Sequence, residues 1–278
     1  MLRKTVLAFA AAVLFGAPAF AADLIEEVPP APIPLATSGW YLRGDVGYVF
    51  KSNNNGHWDF WNQFPGVEGV DDTFYYKDFD LDDAASFGGG VGYRFNDFLR
   101  TDVTADYFSP DLDGRRGCPS YIAATQYGQA APDITCKYKD SADVDIVTVM
   151  ANAYVDLGTY SIFTPYIGGG LGAAYVDYGN LKVEQCGTSD CGASPNDNVF
   201  HNKGEDSWRF AGSLMAGVTM DVTGPLKLDV GYKYTHITDG DAFGYDAADR
   251  ATGAKGAQIK DDGFDLHTIR AGLRYEFF

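Results

Sequence analysis

The chain has 278 residues, is 46% hydrophobic and carries a formal net charge of −17 at pH 7. Phosphate backbones are bound by clustered Lys and Arg side chains, so this acidity argues against nucleic acid as a partner. After residue 21, no segment is apolar over the length that a membrane-spanning helix needs. A location in a membrane would therefore require a closed β-barrel.

Residues 1–21 have the pattern of a secretory signal peptide. Arg3 and Lys4 precede an apolar run that is too short to span a bilayer, and the segment ends in the cleavage pattern Ala-Phe-Ala. A single membrane anchor is the alternative, which the short run disfavours. Cleavage would remove these two cations and change the net charge from −17 to −19.

Residues 22–37 contain four prolines, Pro29, Pro30, Pro32 and Pro34. Proline lacks a backbone donor and favours an extended, solvated chain. We expect this segment to be a flexible periplasmic leader, with binding of a partner to the proline run as the alternative.

Eight segments of the remaining chain, 38–278, alternate apolar with polar or glycine side chains at the two-residue period of a β-strand. In the last segment Ile269 and Leu273 share one face, whereas Arg270 and Arg274 share the other. The predicted strands are 38–50, 84–95, 99–107, 142–156, 163–177, 208–220, 226–235 and 264–278.

The fourth predicted strand has two candidate apolar faces. One face carries Val147 and Val149, and the other carries Ile146 and Met150. We expect the valine face to point outward, because Asn152 then lies on the inner face.

The connections between the strands alternate in length. Three are short (96–97, 157–162 and 221–225), and four of roughly 25 to 35 residues are long (51–83, 109–141, 178–206 and 237–263). Structureless loops of that length are unusual in a soluble domain, whereas outer-membrane barrels have short periplasmic turns and long outer loops. The pattern predicts an all-β fold, an eight-stranded antiparallel up-and-down transmembrane β-barrel with long extracellular loops, rather than a soluble sandwich.

Aromatic and glycine residues fit this barrel. Aromatic side chains at strand ends on the apolar face predict interfacial girdles, and they include Trp40, Tyr93, Phe95, Tyr107, Tyr232, Tyr234, Tyr275 and Phe277. Glycine runs at 88–92 and 168–172 lie within strands, where glycine is normally disfavoured. We expect inward glycines to make room for large lumen side chains, with close approach of a ligand as the alternative.

The predicted inner face carries charges of both signs. They are Arg43, Asp45, Arg94, Arg100, Asp102, Asp106, Lys227, Asp229, Lys233, Arg270, Arg274 and Glu276. Side chains fill the lumen of an eight-stranded barrel, and buried charges must be paired or hydrated. We expect an ion-paired plug, and a narrow ion-conducting pore is the alternative.

Four cysteines lie in predicted extracellular loops. An exported chain with an even number of cysteines favours disulfides. Proximity favours pairing Cys118 with Cys136 and Cys186 with Cys191, although four cysteines allow three pairings. A zinc site is the alternative, but the spacings contain no CxxC pair.

The chain resembles the small outer-membrane barrels of Gram-negative bacteria, namely the OmpA-like transmembrane barrel and, within it, the porin-family surface antigens of alphaproteobacteria. The resemblance covers the whole mature chain and rests on AFAAD, GWYLRGDVGYVF, FGGGVGYRF, TPYIGGGLGAAY, LKLDVGYKYT and the terminal IRAGLRYEFF. It implies residence in the outer membrane among lipid and lipopolysaccharide. It also implies that the barrel assembly machinery reads Tyr275 and Phe277 as an assembly signal, which Phe278 extends by one residue.

Other candidate sites are weaker. The acidic clusters 71–72, 78–83 and 239–241 are predicted to be solvated loop charge that bridges lipopolysaccharide through divalent ions, with a calcium site as the alternative. His57, His201, His236 and His267 are scattered along the chain, and no Ser or Cys stands near a His and an acid in a recognised catalytic spacing. No cofactor is predicted.

Three functions remain in order of preference. The first is structural, a surface-display protein of the cell outer membrane that supports envelope integrity and binds host or cell-surface ligands through its loops. The second is a small porin-like channel for ions or small solutes. The third is an outer-membrane enzyme, which no site in the sequence supports.

Overall fold

The computed structural model describes residues 38–61, 71–188 and 190–277. The predicted signal peptide 1–21, the predicted leader 22–37 and Phe278 lie outside the described residues.

In chain order the described residues form the strands β1 (Gly39–Phe50), β2 (Ser52–Asn54), β3 (Gly56–Trp61), β4 (Asp71–Tyr75), β5 (Asp78–Leu81), β6 (Ala84–Arg94), β7 (Leu99–Phe108), β8 (Asp111–Gly117), β9 (Lys137–Asp156), β10 (Phe163–Tyr178), β11 (Leu181–Cys186), β12 (Asn198–Asn202), β13 (Asp206–Thr223), β14 (Leu226–Ile237), β15 (Gly240–Gly244), β16 (Ala257–Asp261) and β17 (Phe264–Phe277). Helices α1 (Ser120–Tyr127) and α2 (Ala247–Ala251) lie in the second and fourth long connections.

Eight of these strands close into the antiparallel barrel that the sequence predicts. Around the wall the order is β1, β6, β7, β9, β10, β13, β14 and β17, and β17 pairs with β1 to complete the ring. Wall strands that follow one another in the chain are therefore neighbours in space, as in an up-and-down barrel. β9 begins at Lys137 rather than at residue 142, because its first residues extend beyond the wall and pair with β8 and β11.

Side chains alternate between the two faces of the wall as the sequence predicts. In the ambiguous fourth wall strand, β9, Val149 and Val155 are 40% and 43% exposed, whereas Met150 and Tyr154 are fully buried. The outward choice for the valine face is confirmed. The outer surface is thus an apolar band, and the inner face holds the large polar side chains.

Aromatic rings concentrate at both borders of this band. Near the short turns, Trp40 packs edge-to-face against Tyr93 with ring centroids 5.3 Å apart, and Tyr275 packs against Phe277 at 5.1 Å. At the opposite border Tyr175 contacts Trp208 at 5.2 Å. Amphipathic aromatic rings are favoured at membrane–water interfaces, so the two girdles delimit the membrane-spanning part of the wall.

The long connections contain regular secondary structure. Strands and the two helices together account for most of the described residues in these connections, and the strands pair with one another: β8 with β9, β5 with β8, β2 with β5, β11 with β9, and β12 with β11. β15, β16, β3 and β4 form a separate sheet in that order. We use the name extracellular cap for β2, β3, β4, β5, β8, β11, β12, β15, β16, α1, α2, residues 137–143 and the described segments that connect them. The cap folds because its strands also alternate, burying Leu112, Tyr138 and Val183 on one side.

The interior has two layers of different chemistry. An apolar cluster fills the half of the lumen nearer the cap and continues into the cap itself. Wall strands supply Ile146, Val176 and Leu266 to it, and the cap supplies Phe79 and Phe243. The charged side chains predicted for the lumen lie nearer the short turns.

Inward glycines make room for lumen side chains, as the sequence predicts. A Cβ atom at Gly92 would collide with the ring of Tyr41, and one at Gly170 would collide with the amide of Asn152. In contrast, a Cβ at the outward Gly44 would meet no atom within 4 Å.

We expect Gly92→Ala to destabilise the barrel by roughly 1–3 kcal/mol, because overpacking forces Tyr41 or the wall to shift. Urea unfolding in lipid vesicles, followed by heat-modifiable migration in gels, measures the change. Gly44→Ala is the matched control and should be neutral or slightly stabilising. Equal stability of the two variants would contradict this account of the glycines.

Candidate functional site: a filled lumen below an ordered cap

The carboxylate of Asp102 is the centre of the lower lumen. It accepts hydrogen bonds from the Arg43 guanidinium (Nη1 to Oδ2, 2.9 Å), the Tyr41 hydroxyl (3.1 Å) and the Asn152 amide (2.8 Å). Arg43 also binds Asp45 through Nη2 at 2.6 Å. Tyr41 and Arg43 lie on β1, Asp102 on β7 and Asn152 on β9, so the hydrogen bonds tie together one side of the wall from the lumen.

Two more arginines extend this network. Arg100 binds Asp156 at 3.1 Å, and its guanidinium lies 4.4 Å from the ring centroid of Tyr154 and 4.6 Å from that of Tyr166. Cation–aromatic stacking of this kind stabilises a desolvated guanidinium. Arg274 is shared by two carboxylates. It lies 3.2 Å from Asp229 and 2.9 Å from Glu276.

The remaining lumen charges are also in contact with polar groups. Ion pairs join Lys233 to Asp106 (2.7 Å), Arg94 to Glu276 (3.3 Å) and Lys227 to Asp221 (2.7 Å). The Arg270 guanidinium lies 3.2 Å from the sulfur of Met215. A buried charge is tolerated when it is paired, so the mixture of signs is consistent with a compact filling.

One small cavity lies inside the wall. A cavity of about 30 Å³ lies between Asp45, Asp106, Thr148 and Lys233, which is about the volume of one water molecule. Phe108 and Leu266 also line this cavity and belong to the apolar layer above it. Side chains thus occupy both layers of the lumen.

Inside the cap, Arg116 is held between two aromatic rings. Its guanidinium lies 3.5 Å from the ring centroid of Trp58 and 3.9 Å from that of Tyr138. Its Nε donates to Asp140 at 3.3 Å, and the Tyr76 hydroxyl donates to the same carboxylate at 2.5 Å. This Arg–Asp–Tyr group joins the second long connection, which carries Arg116 and Asp140, to the first, which carries Tyr76 and Trp58.

A second Arg–Asp–Tyr group joins the other side of the cap to the wall. Arg209 binds Asp261 at 2.7 Å, and the Tyr178 hydroxyl donates to Asp261 at 2.8 Å. Burial raises the pKa of Asp261 above its ordinary value, although Arg209 and Tyr178 oppose the shift. Burial likewise raises the pKa of Asp140.

Two disulfides cross-link the cap. Cys118 is bonded to Cys136 across 18 residues, and Cys186 is bonded to Cys191 across 5 residues. The longer loop contains α1, whose Ala123 is fully buried and packs near Cys136. All four cysteines are engaged in disulfides, so none is a free thiolate for zinc.

Asp197 fixes the loop that carries the shorter disulfide. Its carboxylate accepts the backbone N–H groups of Gly187 (2.8 Å) and Ser194 (3.1 Å). These backbone hydrogen bonds lower the pKa of Asp197. The Tyr127 hydroxyl of α1 also donates to it at 3.2 Å, and burial together with this carboxylate raises the pKa of Tyr127 to about 12. The second and third connections are thus joined.

Each of the four hairpins of the wall carries a tyrosine–aspartate pair on its outer face, just below the cap. The pairs are Tyr48 with Asp83, Tyr107 with Asp145 (2.7 Å), Tyr175 with Asp206 (3.0 Å) and Tyr234 with Asp265 (2.6 Å). In every pair the aspartate lies two residues before the residue opposite the tyrosine. We call these four pairs the tyrosine–aspartate rim.

The histidines are less scattered in space than in sequence. His236 lies opposite Asp265 in the β14–β17 ladder and contacts it at 2.8 Å. His267 contacts the hydroxyl of Tyr232 at 2.5 Å on the same outer surface. The pairing of the two predicted strands was the signal that could have revealed this cluster. His57 lies elsewhere, 3.5 Å from Asp262 in the cap.

Some aspartates of the predicted acidic clusters lie close to lysine side chains. Lys51 contacts Asp80 at 3.4 Å and Asp82 at 3.0 Å, and Lys260 lies 3.8 Å from Asp241. Among the described residues, no three His, Cys, Asp or Glu side chains are grouped so that they could hold a metal ion. Within the same residues, no helix has the length and apolar character needed to cross a membrane.

Comparison with known families agrees with this architecture. The family model of the outer membrane protein beta-barrel domain matches residues 7–277. The chain belongs to this family. The resemblance predicted from the sequence is confirmed, and the protein resides in the outer membrane.

Relatives include an uncharacterized protein of Brucella melitensis, which is 52% identical over 272 residues and is matched over 93% of each chain. A protein of Rickettsia prowazekii named as a candidate adhesin is 22% identical over 238 residues, which are 85% of this chain and 86% of the relative. Among solved structures, Neisserial surface protein A is 17% identical, with a TM-score of 0.45 over 87% of this chain and 99% of the other.

We expect Asp102→Ala to destabilise the barrel by roughly 1.5–3 kcal/mol, because Arg43 and Asn152 lose their shared buried acceptor while Arg43 keeps its ion pair with Asp45. Urea unfolding in vesicles measures the loss. The control is Asp133→Ala, which removes an exposed carboxylate from the cap. If both variants unfold at the same urea concentration, the Asp102 network does not stabilise the wall.

Removing the two disulfides should have unequal effects. In the chain-entropy model a cross-link over 18 residues contributes about 3 kcal/mol and one over 5 residues about 2 kcal/mol. The double variant Cys118→Ser/Cys136→Ser should therefore lose more resistance to proteolysis in the cap than Cys186→Ser/Cys191→Ser. Limited proteolysis of the protein in vesicles tests the order, and the reverse order would contradict it.

Proposed function

We propose that the protein is a non-conducting surface-display barrel whose extracellular cap contacts ligands outside the cell. The observation that carries this proposal is the combination of a filled lumen with a folded, cross-linked cap. Ion pairs around Asp102 and the apolar layer above them occupy the lumen, where a cavity of about 30 Å³ lies between Asp45, Asp106 and Lys233. This arrangement favours ligand contact by the cap over ion conduction through the lumen.

The order within the cap supports an interaction role. Each of the two disulfides closes a loop within one connection, and the two Arg–Asp–Tyr groups join segments that are distant in the chain. A preorganised surface loses less conformational entropy on binding than mobile loops do. The relatives named as candidate adhesins in Rickettsia are consistent with surface interactions.

Other partners follow from the wall. The apolar band and its girdles suit outer-membrane lipid, and the tyrosine–aspartate rim lies where lipopolysaccharide headgroups would meet the barrel. The outward Tyr275 and Phe277 at the end of β17 suit an assembly signal read by the barrel assembly machinery. We propose support of envelope integrity through these contacts, without enzymatic activity.

Single-channel recording tests the proposal. The protein in a planar bilayer at neutral pH and high salt should give no steady conductance, because ions would have to displace buried ion pairs. Ion-selective steps that change in Lys233→Gln but not in the exposed cap variant Lys182→Gln would show a conducting lumen, and the porin-like function would replace this one.

A further inference from the structure

A cavity of about 200 Å³ lies in the cap where all four long connections meet. Trp61 comes from the first connection, Gln126 from the second, Phe200 from the third and Gln258 from the fourth. The volume equals that of about six or seven water molecules, which is close to one six-membered sugar ring and below that of a drug-sized ligand.

One part of the lining is aromatic. Trp58, Trp61, Tyr138 and Phe200 contribute rings to it. Trp58 and Tyr138 are fixed because Arg116 lies between them, whereas Phe200 is 38% exposed. The negative face of an aromatic ring attracts weakly positive C–H groups, such as those on the face of a sugar ring.

The other part of the lining is built from buried amides. The Asn202 amide donates to the Gly244 carbonyl at 2.9 Å and to Oε1 of Gln258 at 2.7 Å. Gln258 in turn donates to Asp249 at 3.4 Å, and Gln185 donates to Gln126. Amides both donate and accept hydrogen bonds, as sugar hydroxyls do. An entirely apolar ligand would offer no hydrogen-bonding groups to this amide part of the lining.

A buried donor also belongs to the lining. The indole Nε1–H of Trp58 has no hydrogen-bond partner among the residues that the structure describes, although the side chain is buried. Buried polar groups in folded proteins are nearly always hydrogen-bonded, so an unpartnered donor next to a cavity indicates a place for an acceptor.

The charged residues that line the cavity disfavour anionic ligands. Of the described residues that line it, none is Lys or Arg, while Asp246 and Asp249 are carboxylates. The carboxylate of Asp246 is already used, because it accepts the backbone N–H groups of Ala248 and Asp249 at the start of α2. A phosphate, sulfate or acidic sugar would be repelled here, whereas a neutral hydroxylated ring would not.

We propose that this cavity binds one neutral hexose-type sugar residue of a glycan outside the cell. Its C–H face would lie against the aromatic part of the lining, and its hydroxyl groups would exchange hydrogen bonds with the amide part. The proposal names the ligand class for the surface-interaction function and rests on that function.

Isothermal titration calorimetry of the full protein tests it, in a detergent whose headgroup is not a sugar. The titrants are glucose, galactose, mannose and N-acetylglucosamine, with glucose 6-phosphate and tetramethylammonium for comparison. We expect one-to-one binding of at least one neutral sugar and weaker binding of the phosphate. Phe200→Ala should weaken that binding about tenfold, because it removes part of the aromatic lining.

Val199→Ala is the matched control, since Val199 lies on the same strand, is exposed and does not line the cavity. It should bind as the unaltered protein does. The proposal is overturned if no neutral sugar binds, if the phosphate or the ammonium ion binds more tightly, or if both variants respond alike. A silent lumen with no sugar binding would overturn this inference alone, whereas ion conductance would overturn the proposed function.

Discussion

An eight-stranded barrel has an interior that only side chains can fill, and this constraint governs the molecule. Large inward groups such as Tyr41 and Tyr154 fit because the residue beside each on the neighbouring strand is a glycine, Gly92 or Gly168. Charged groups fit because they are paired inside the lumen, with Asp102 accepting from residues on two strands, β1 and β9. A larger residue in place of an inward glycine would collide with a lumen side chain. Loss of one member of an ion pair would leave a buried charge unpaired.

The side chains that fill the lumen differ in chemistry along the barrel axis. Near the short turns the filling is ionic, and nearer the cap it is apolar. The apolar layer is continuous with the interior of the cap, where Phe79 and Phe243 are fully buried. The cap therefore shares a hydrophobic core with the wall instead of standing on it as separate loops. This continuity explains how segments that the sequence suggests are loops become ordered strands.

The sequence predicts the wall well because a strand with one face in lipid and one in the lumen must alternate. Even the fourth strand could be assigned correctly from Asn152 alone. The cap could not be predicted in the same way. Its strands pair across different connections, as β11 does with β9, and that pairing depends on where the wall brings them. The candidate sugar site has the same origin, because its lining residues are far apart in the chain.

The tyrosine–aspartate rim has a consequence for the size of the barrel. Each hydrogen-bonded pair belongs to one hairpin and uses the same offset between its two strands, as in Tyr107 with Asp145 and Tyr234 with Asp265. The hairpin is thus a modular unit that brings its own border with the outer leaflet. A barrel enlarged by one such hairpin would keep the same tyrosine–aspartate rim. Only the side chains that fill its wider lumen would have to change.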